Sequence, residues 1–270
     1  ITNMGYDWIA GPTNVSNLTP EEMARRLGGE MSPELIAEFD AMVPDPAILR
    51  MTFRTSFDWR DFSGTTPAKD QADCGSCWAF GAVSATEAHV RIAEGVIVDC
   101  SEQQIIDCNG QGSDCDGGQA GDAYMVMQSP GAVSEADIPY LADDNQSCRQ
   151  RRYDKVAIID GSANVTNNVT TLKYYLETYG PLSVGMCVYD DFYNYTGGCY
   201  EHAGTDWTNH VVMLAGWDDS MCGGVGAWLC KNSWGTDFGD NGYFWIKYGS
   251  CRIGSGAMYP LNAHTPKTIL

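Results

Sequence analysis

Cys77 is the residue of this chain best placed to act as a nucleophile. It stands in Cys74-Gly75-Ser76-Cys77-Trp78, at the start of a run over residues 76–94 whose pattern predicts one long helix closed by Gly95. The first turn of a helix carries unpaired N–H groups and the positive end of the helix dipole, and both favour negative charge. A thiol in that position ionises readily, activated cysteines having pKa values of roughly 3.5–7.5. The thiolate then needs a proton acceptor and a group that orients the acceptor. The chain has four histidines: His89, His202, His210 and His264. His89 lies farther along the same predicted helix and points away from Cys77. His264 lies in the C-terminal tail, and His202 in a Gly-flanked loop where a structural or merely exposed histidine is the ordinary case. His210 opens the apolar run Val211–Ala215 and so sits on a defined backbone, which makes it the expected partner of Cys77.

The elements that must position this pair fall into three stretches. Residues 1–50 contain no cysteine and carry two short helical signals. Thr19-Pro20-Glu21-Glu22 reads as a cap, a proline at the first helical position and a capping-box glutamate, with the helix running through Arg26 or Leu27 and stopping at Gly28-Gly29. Ser32-Pro33-Glu34 starts a second helix, with Leu35, Ile36 and Phe39 at helical spacing, and Pro44 and Pro46 then impose an extended linker. From Phe57 the texture is denser. Helices are predicted from Ser76 to Glu94, from Ser101 onward, and from Ala120 to Gln128 within an otherwise loop-like stretch over 117–165. The last third reads as strands at Val211–Ala215, Ala227–Lys231 and Gly242–Lys247. Helix-rich followed by strand-rich implies an α+β chain of two lobes.

Length and composition are consistent with this. A chain of 270 residues, 44% of them hydrophobic, can build one large domain or two packed lobes. No apolar run approaches the roughly 18–20 residues that span a bilayer. The start, Ile1 to Trp8, lacks the basic and apolar parts of a signal peptide, so such a segment is expected to lie outside this numbering. A net charge of −19 argues against nucleic acid and anionic membranes as partners. Eleven cysteines point to disulfides and an oxidising compartment, and the odd count leaves at least one without a partner in the chain. Sequons at Asn14, Asn17, Asn145, Asn164, Asn168 and Asn194 fit a secreted or lysosome-like glycoprotein, although sequons also arise by chance.

Gln71 to Phe80 closely resembles the active-site segment of papain and the cathepsins, whose signature is C-G-[SA]-C-[WY] with His and Asn roughly 130–150 residues downstream. Asn209-His210-Val211-Val212 resembles the family's histidine motif. Lys231-Asn232-Ser233-Trp234-Gly235 resembles its asparagine motif, Cys115-Asp116-Gly117-Gly118 the glycine wall of its cleft, and Ser101-Glu102-Gln103 with Asp107-Cys108 a further stretch. The resemblance covers residues 57–260. It implies the papain-like two-lobe fold, one lobe helical (mainly 75–165) and one β-barrel-like (mainly 166–260), within a peptidase domain over 53–270 preceded by a propeptide over 1–52.

The same resemblance implies roles. Cys77 attacks the peptide carbonyl, His210 exchanges the proton and Asn232 orients the ring under the cover of Trp234, as in the Cys-His-Asn variant of the triad. Gln71 and the Cys77 N–H form the oxyanion hole. Gly117 and Gly118 pair with substrate backbone, Asn209 joins the substrate-binding residues, and Gln119, Ala120, Gly185, Val211 and Gly256 surround the main specificity pocket. None of these five is charged, which favours a bulky apolar side chain at P2. Bridges Cys74–Cys115 and Cys108–Cys148 are implied, and Cys199–Cys251 by analogy with the second-lobe bridge. Cys100, Cys187, Cys222 and Cys230 are left open.

Trp8-Ile9-Ala10-Gly11 makes the leader similar to the short propeptides of the cathepsin B group. The occluding loop of that group is absent after Gly118, which implies an endopeptidase. The small insertion of cathepsin X is absent too, so carboxypeptidase activity is not expected. The leader is expected to block the cleft and to be removed near Arg50–Arg54, with Asp7, Glu21, Glu22, Glu30, Glu34, Glu38 and Asp40 losing their contacts in acid. No cofactor or metal is implied. The expected partners are polypeptide substrates, the chain's own propeptide and protein inhibitors, with no nucleic acid or membrane, and the chain is expected to be a monomer. The rival readings are a Cys74-x-x-Cys77 redox dithiol, a zinc site using these cysteines with Cys108, Cys115 and His210, a catalytically silent binding module, and a leader that is only a packed N-terminal extension.

Overall fold

The computed structural model describes residues 7–266. The first six residues of the expected propeptide and the last four of the expected peptidase domain lie outside the described residues. Strand β1 (Trp8–Ala10) pairs antiparallel with β7 (Tyr195–Tyr200), and Trp8 is buried edge-on to Tyr200. Helix α1 (Pro20–Ala24) carries the full capping box between Thr19 and Glu22. It ends earlier than the sequence suggested, because Arg26 and Leu27 leave the helix to enter the cleft ahead of Gly28 and Gly29. Helix α2 (Pro33–Asp40) is capped by Ser32 and packs Ile36 and Phe39 with Met31 in a small apolar cluster of its own.

The helical lobe is built on α3 (Cys77–Glu94), closed by Gly95 in the left-handed conformation, with α4 (Glu102–Cys108) and α5 (Ala120–Gln128) packed around it. Ser101 caps α4 by accepting from the Gln104 N–H and gives its own proton to the Ile138 carbonyl. Two short strands, β3 (Ala132–Val133) and β4 (Lys155–Ala157), pair at its edge.

The other lobe is a nine-stranded sheet in the order β1-β7-β10-β9-β8-β6-β11-β5, with β2 (Ser56–Asp58) pairing β8 off that path. Its remaining members are β5 (Gly161–Asn164), β6 (Leu182–Met186), β8 (His210–Asp218), β9 (Ala227–Lys231), β10 (Tyr243–Lys247) and β11 (Ser255–Leu261). The three strands read from the sequence are thus β8, β9 and β10. Residues 161–164, expected in the helical lobe, join this sheet instead. Helix α6 (Val169–Thr178), capped by Asn168, was not read from the sequence; its Leu172 and Leu176 are buried in the core of the sheet lobe.

The register of the sheet positions the chemistry. Met213 on β8 faces Lys231 on β9, which sets Asn232, the next residue, level with Val212. His210 is two residues from Val212 and therefore on the same face, a diagonal neighbour of Asn232. The α3 helix that carries Cys77 lies against these strands through Ala85 and Ala88, which meet Met213, Ala215 and Leu229. Gly81 lets the helix approach, since a Cβ there would press into the Val211 side chain.

A buried ionic cluster ties the same elements together. The Lys69 ammonium bonds Glu87 on α3 at 3.1 Å, Glu102 on α4 at 3.0 Å and Asp99 at 2.7 Å. Thr66 donates to Glu87 at 2.6 Å and accepts from Lys231 at 2.9 Å, next to Asn232. Burial works against the charge on Lys69, and Glu102 and Glu87 outweigh it and hold the ammonium charged. Lys69→Met would strand two buried carboxylates. It should destabilise the chain by about 3–5 kcal/mol, read as a fall in the urea midpoint without a change of slope. A loss under 1 kcal/mol would mean the cluster is a bystander.

Candidate active site

Cys77 is the first residue of α3, and Ser76 before it makes no side-chain cap. Ser76 instead bonds Tyr140 at 2.7 Å, and the Tyr140 hydroxyl donates to the Gln71 carbonyl at 2.7 Å. Cys77 is fully buried, and burial pushes its thiol up to about 11. The N–H groups of Val211, Gly28, Trp78 and Cys77 itself pull the other way. His210 is also fully buried, and burial pulls its imidazole down to about 4, against the opposing effect of Asn232. Its Nε2–H donates to the Asn232 Oδ1 at 2.8 Å, while Nδ1 is buried without a hydrogen-bond partner. The Trp234 ring lies 5.0 Å from the imidazole and shields it. Burial therefore disfavours the charged form of both members of the pair in this state.

Gln71 is fixed from both ends. Its Oε1 accepts from the Ser233 hydroxyl at 2.6 Å, and its N–H donates to the Ser233 carbonyl at 2.9 Å. Its Nε2 donates to the Cys74 carbonyl at 2.8 Å and to the Arg26 carbonyl at 3.0 Å. A carbonyl of the N-terminal segment thus takes one of the N–H bonds that an oxyanion would use.

That segment runs through the cleft over residues 26–31. Gly118 donates to the Gly28 carbonyl at 2.9 Å, Gly29 to the Asn209 carbonyl at 3.0 Å, and the Gln119 amide to the Glu30 carbonyl at 2.5 Å. Glu30 and Asn209 form an antiparallel bridge. Gly117 has a φ of +137°, which suits glycine at this close approach. A side chain on Gly28 would collide with the Gly75 carbonyl, and one on Gly29 with the His210 backbone. Arg26 is anchored by Asp70 at 2.9 Å and Asp73 at 3.4 Å, on either side of Gln71. The leader acids named from the sequence form no ion pair among the described residues. The charge contact of this segment is reversed, with the cation at Arg26 and the acids at Asp70 and Asp73.

Gln119, Ala120, Gly185, Val211 and Gly256 line one cavity of about 260 Å³ together with Met258 and the leader's Met31, Leu35 and Phe39. The Met31 thioether lies against Gly256 and Gly185. Asn209 holds Val188 through two hydrogen bonds, so the residue before His210 is itself fixed. The other histidines lie elsewhere: Nε2 of His89 bonds the Pro181 carbonyl, His202 pairs with Asp191, and His264 bonds the Asn262 carbonyl. Bridges join Cys74 to Cys115 and Cys108 to Cys148. Cys199 is bonded to Cys222, which overturns the expected Cys199–Cys251: the β7 edge faces the Met221–Gly224 turn, and Cys251 keeps a free thiol. Because Cys74 and Cys115 are bonded to each other, neither is available to a Cys74–Cys77 dithiol or to a zinc site, and no metal-binding cluster occurs among the described residues. The sequence reading missed Ser233, Tyr140 and Met31. It quoted Ser233 in a motif without a role and treated Gly28-Gly29 as a helix stop.

Comparison with known proteins gives the same picture. The family described as papain family cysteine protease matches residues 53–261. The chain is 34% identical to pro-cathepsin H of Mus musculus over 222 residues, which is 77% of this chain and 65% of that protein. It is 36% identical to cysteine protease 1 of Oryza sativa subsp. japonica, over 76% of this chain and 44% of that protein. The chain therefore spans about half to two thirds of these relatives. Among solved structures, digestive procathepsin L2 from Tenebrio molitor larval midgut superposes with a TM-score of 0.84 at 30% identity, covering 94% of this chain and 84% of that one. The proform of the ragweed pollen cysteine protease Amb a 11 gives 0.82 at 27% identity, over 96% and 83%.

Burial raises the Cys77 thiol well above its ordinary value and keeps the thiolate scarce at neutral pH. Iodoacetamide should therefore label Cys77 of the intact chain at least about 100-fold more slowly at pH 6–7 than after the leader is removed, as read by peptide mass. Equal rates would mean that the leader does not control the ionisation of the pair.

Proposed function

The chain belongs to the papain family of cysteine proteases, and from that membership we propose that it is a cysteine endopeptidase held as a zymogen by its own N-terminal segment. Residues 1–52 are the inhibitory propeptide and 53–270 the peptidase domain. The observation that carries this reading is the passage of Arg26–Met31 across Cys77, His210 and Gln71. The Trp8–Gly11 segment behind the cathepsin B-like reading of the leader is the strand docked on β7.

Once the segment leaves, water reaches the cleft and the proton on the Cys77 sulfur moves to Nδ1 of His210. The thiolate attacks the peptide carbonyl, and the oxyanion accepts from the Cys77 N–H and the Gln71 Nε2–H. Imidazolium gives its proton to the leaving amine, which departs as the C–N bond breaks. His210 then takes a proton from water, whose oxygen attacks the thioester, and the acid product and thiol are restored. Asn232 keeps Nε2 occupied throughout, so that Nδ1 faces the sulfur.

The proton that moves from sulfur to Nδ1 is not drawn from solution, so ionising the pair is not by itself driven by acid. The charge contact that holds the segment is Arg26 with Asp70 and Asp73. The apolar cavity beside Met31 favours an apolar P2 side chain. The disulfides fit an oxidising compartment, and we assign the protein to the secreted or lysosome-like class. It acts as a monomer on polypeptides, and protein inhibitors would take the same cleft.

Under mildly acidic, reducing conditions the purified chain should lose the residues ahead of Arg50–Arg54 and begin to hydrolyse a fluorogenic Phe-Arg peptide faster than an Arg-Arg peptide. Cys77→Ala should do neither. If the wild-type chain stays silent even after another protease removes the leader, the binding-module reading replaces this one. A preference for Arg-Arg would overturn the apolar pocket.

A further inference from the structure

Three bridges leave five cysteines free, all of them buried: Cys77, Cys100, Cys187, Cys230 and Cys251. Two of the five meet. Cys187 directly follows β6, and Cys251 lies in the turn that precedes β11. These strands are antiparallel neighbours, with Gly185 facing Ser255. The Cys187 N–H donates to the Cys251 carbonyl at 2.7 Å. Standard backbone lengths then hold the two Cα atoms within about 7 Å, and a disulfide spans Cα separations of about 4.4–6.8 Å. The thiols also sense each other: burial, the larger cause, pushes Cys251 up to about 12, and a charge on Cys187 adds to it. The Cys251 sulfur has two further neighbours, the Ser250 hydroxyl 3.4 Å away and the His202 backbone N–H.

We propose that Cys187 and Cys251 form a fourth disulfide in the mature fold, tying the end of β6 to the turn before β11. The oxidant is a low-molecular-weight disulfide of the glutathione class. One cysteine thiolate attacks it, releasing one small thiol and leaving a mixed disulfide. The second thiolate displaces the other small thiol, so two protons and two electrons leave the pair and two small thiols are formed. Closure belongs to folding, before burial suppresses the thiolates. The bridge would brace the two strands that carry Gly185 and Gly256 into the specificity cavity. It would also fix the residue before Val188, which Asn209 clamps beside His210. Cys77, Cys100 and Cys230 would remain as thiols. The inference rests on the oxidising compartment and does not require the peptidase reading.

The full chain carrying Cys77→Ala, which cannot digest itself, is refolded with reduced and oxidised glutathione. It is then denatured without reductant, alkylated and mapped by mass. Labelling confined to Cys100 and Cys230, with a peptide pair joined through Cys187 and Cys251, is the expected result. Labelling of both Cys187 and Cys251 would overturn the proposal, and so would a map joining Cys251 to Cys199 or any other cysteine.

Discussion

Two glycines have no room for a side chain, and the state of the catalytic pair depends on that constraint. Gly28 lies against the Gly75 carbonyl and Gly29 against the backbone of His210. With only backbone between the walls of the cleft, the leader reaches the Cys77 sulfur with a Gly28 N–H and excludes water from both members of the pair. Charge is costly in such a site, so the thiol and the imidazole both stay neutral. On the proposed function the leader would act in two ways: it would fill the path of a substrate, and it would remove the medium in which thiolate and imidazolium can exist.

The pair can wait in that condition because its supports do not depend on the leader. Asn232 keeps its bond to His210 through the β8–β9 register, Ser233 holds Gln71, and Tyr140 links Gln71 to Ser76 at the start of α3. Beneath them Lys69 joins Glu87 and Glu102, and Lys231 reaches the same cluster through Thr66. Removing the leader then needs no rebuilding of the site. On the proposed function it would admit water, free one donor of Gln71 from the Arg26 carbonyl, and let a proton cross from sulfur to nitrogen.

The chemistry was legible in the sequence where it is local. Cys77 at a helix start, His210 at a strand start, the capping box at Thr19 and the helix cap at Ser101 follow from neighbours a few residues apart, and the structure carries each at the expected place, whereas Gln104 turns its side chain to Val133 and does not close a box on Ser101. What could not be read depends on contacts between distant segments. Gly28-Gly29 looked like a helix stop because the walls they slide between come from residues 75 and 210. The acids expected to hold the leader sit on it, whereas the ion pairs run from Arg26 to Asp70 and Asp73. The Cys199–Cys251 pairing failed because the partner of a cysteine is set by which turn packs on its strand, and the turn carrying Cys222 lies there. Helix α6 escaped because its β-branched start, Val169-Thr170-Thr171, masks the apolar stripe of Leu172 and Leu176.

The most direct measurement is the activity of an uncleaved chain carrying Gly28→Val, assayed at neutral pH under reducing conditions with chain length followed in the same sample. A side chain at that position cannot coexist with the Gly75 carbonyl, so the leader must lift from Cys77 while still attached. Hydrolysis of a fluorogenic peptide should then begin before any shortening of the chain, whereas the wild-type chain stays silent. A Gly28→Val chain that remains as inactive as wild type until its leader is cut would contradict the steric account of inhibition.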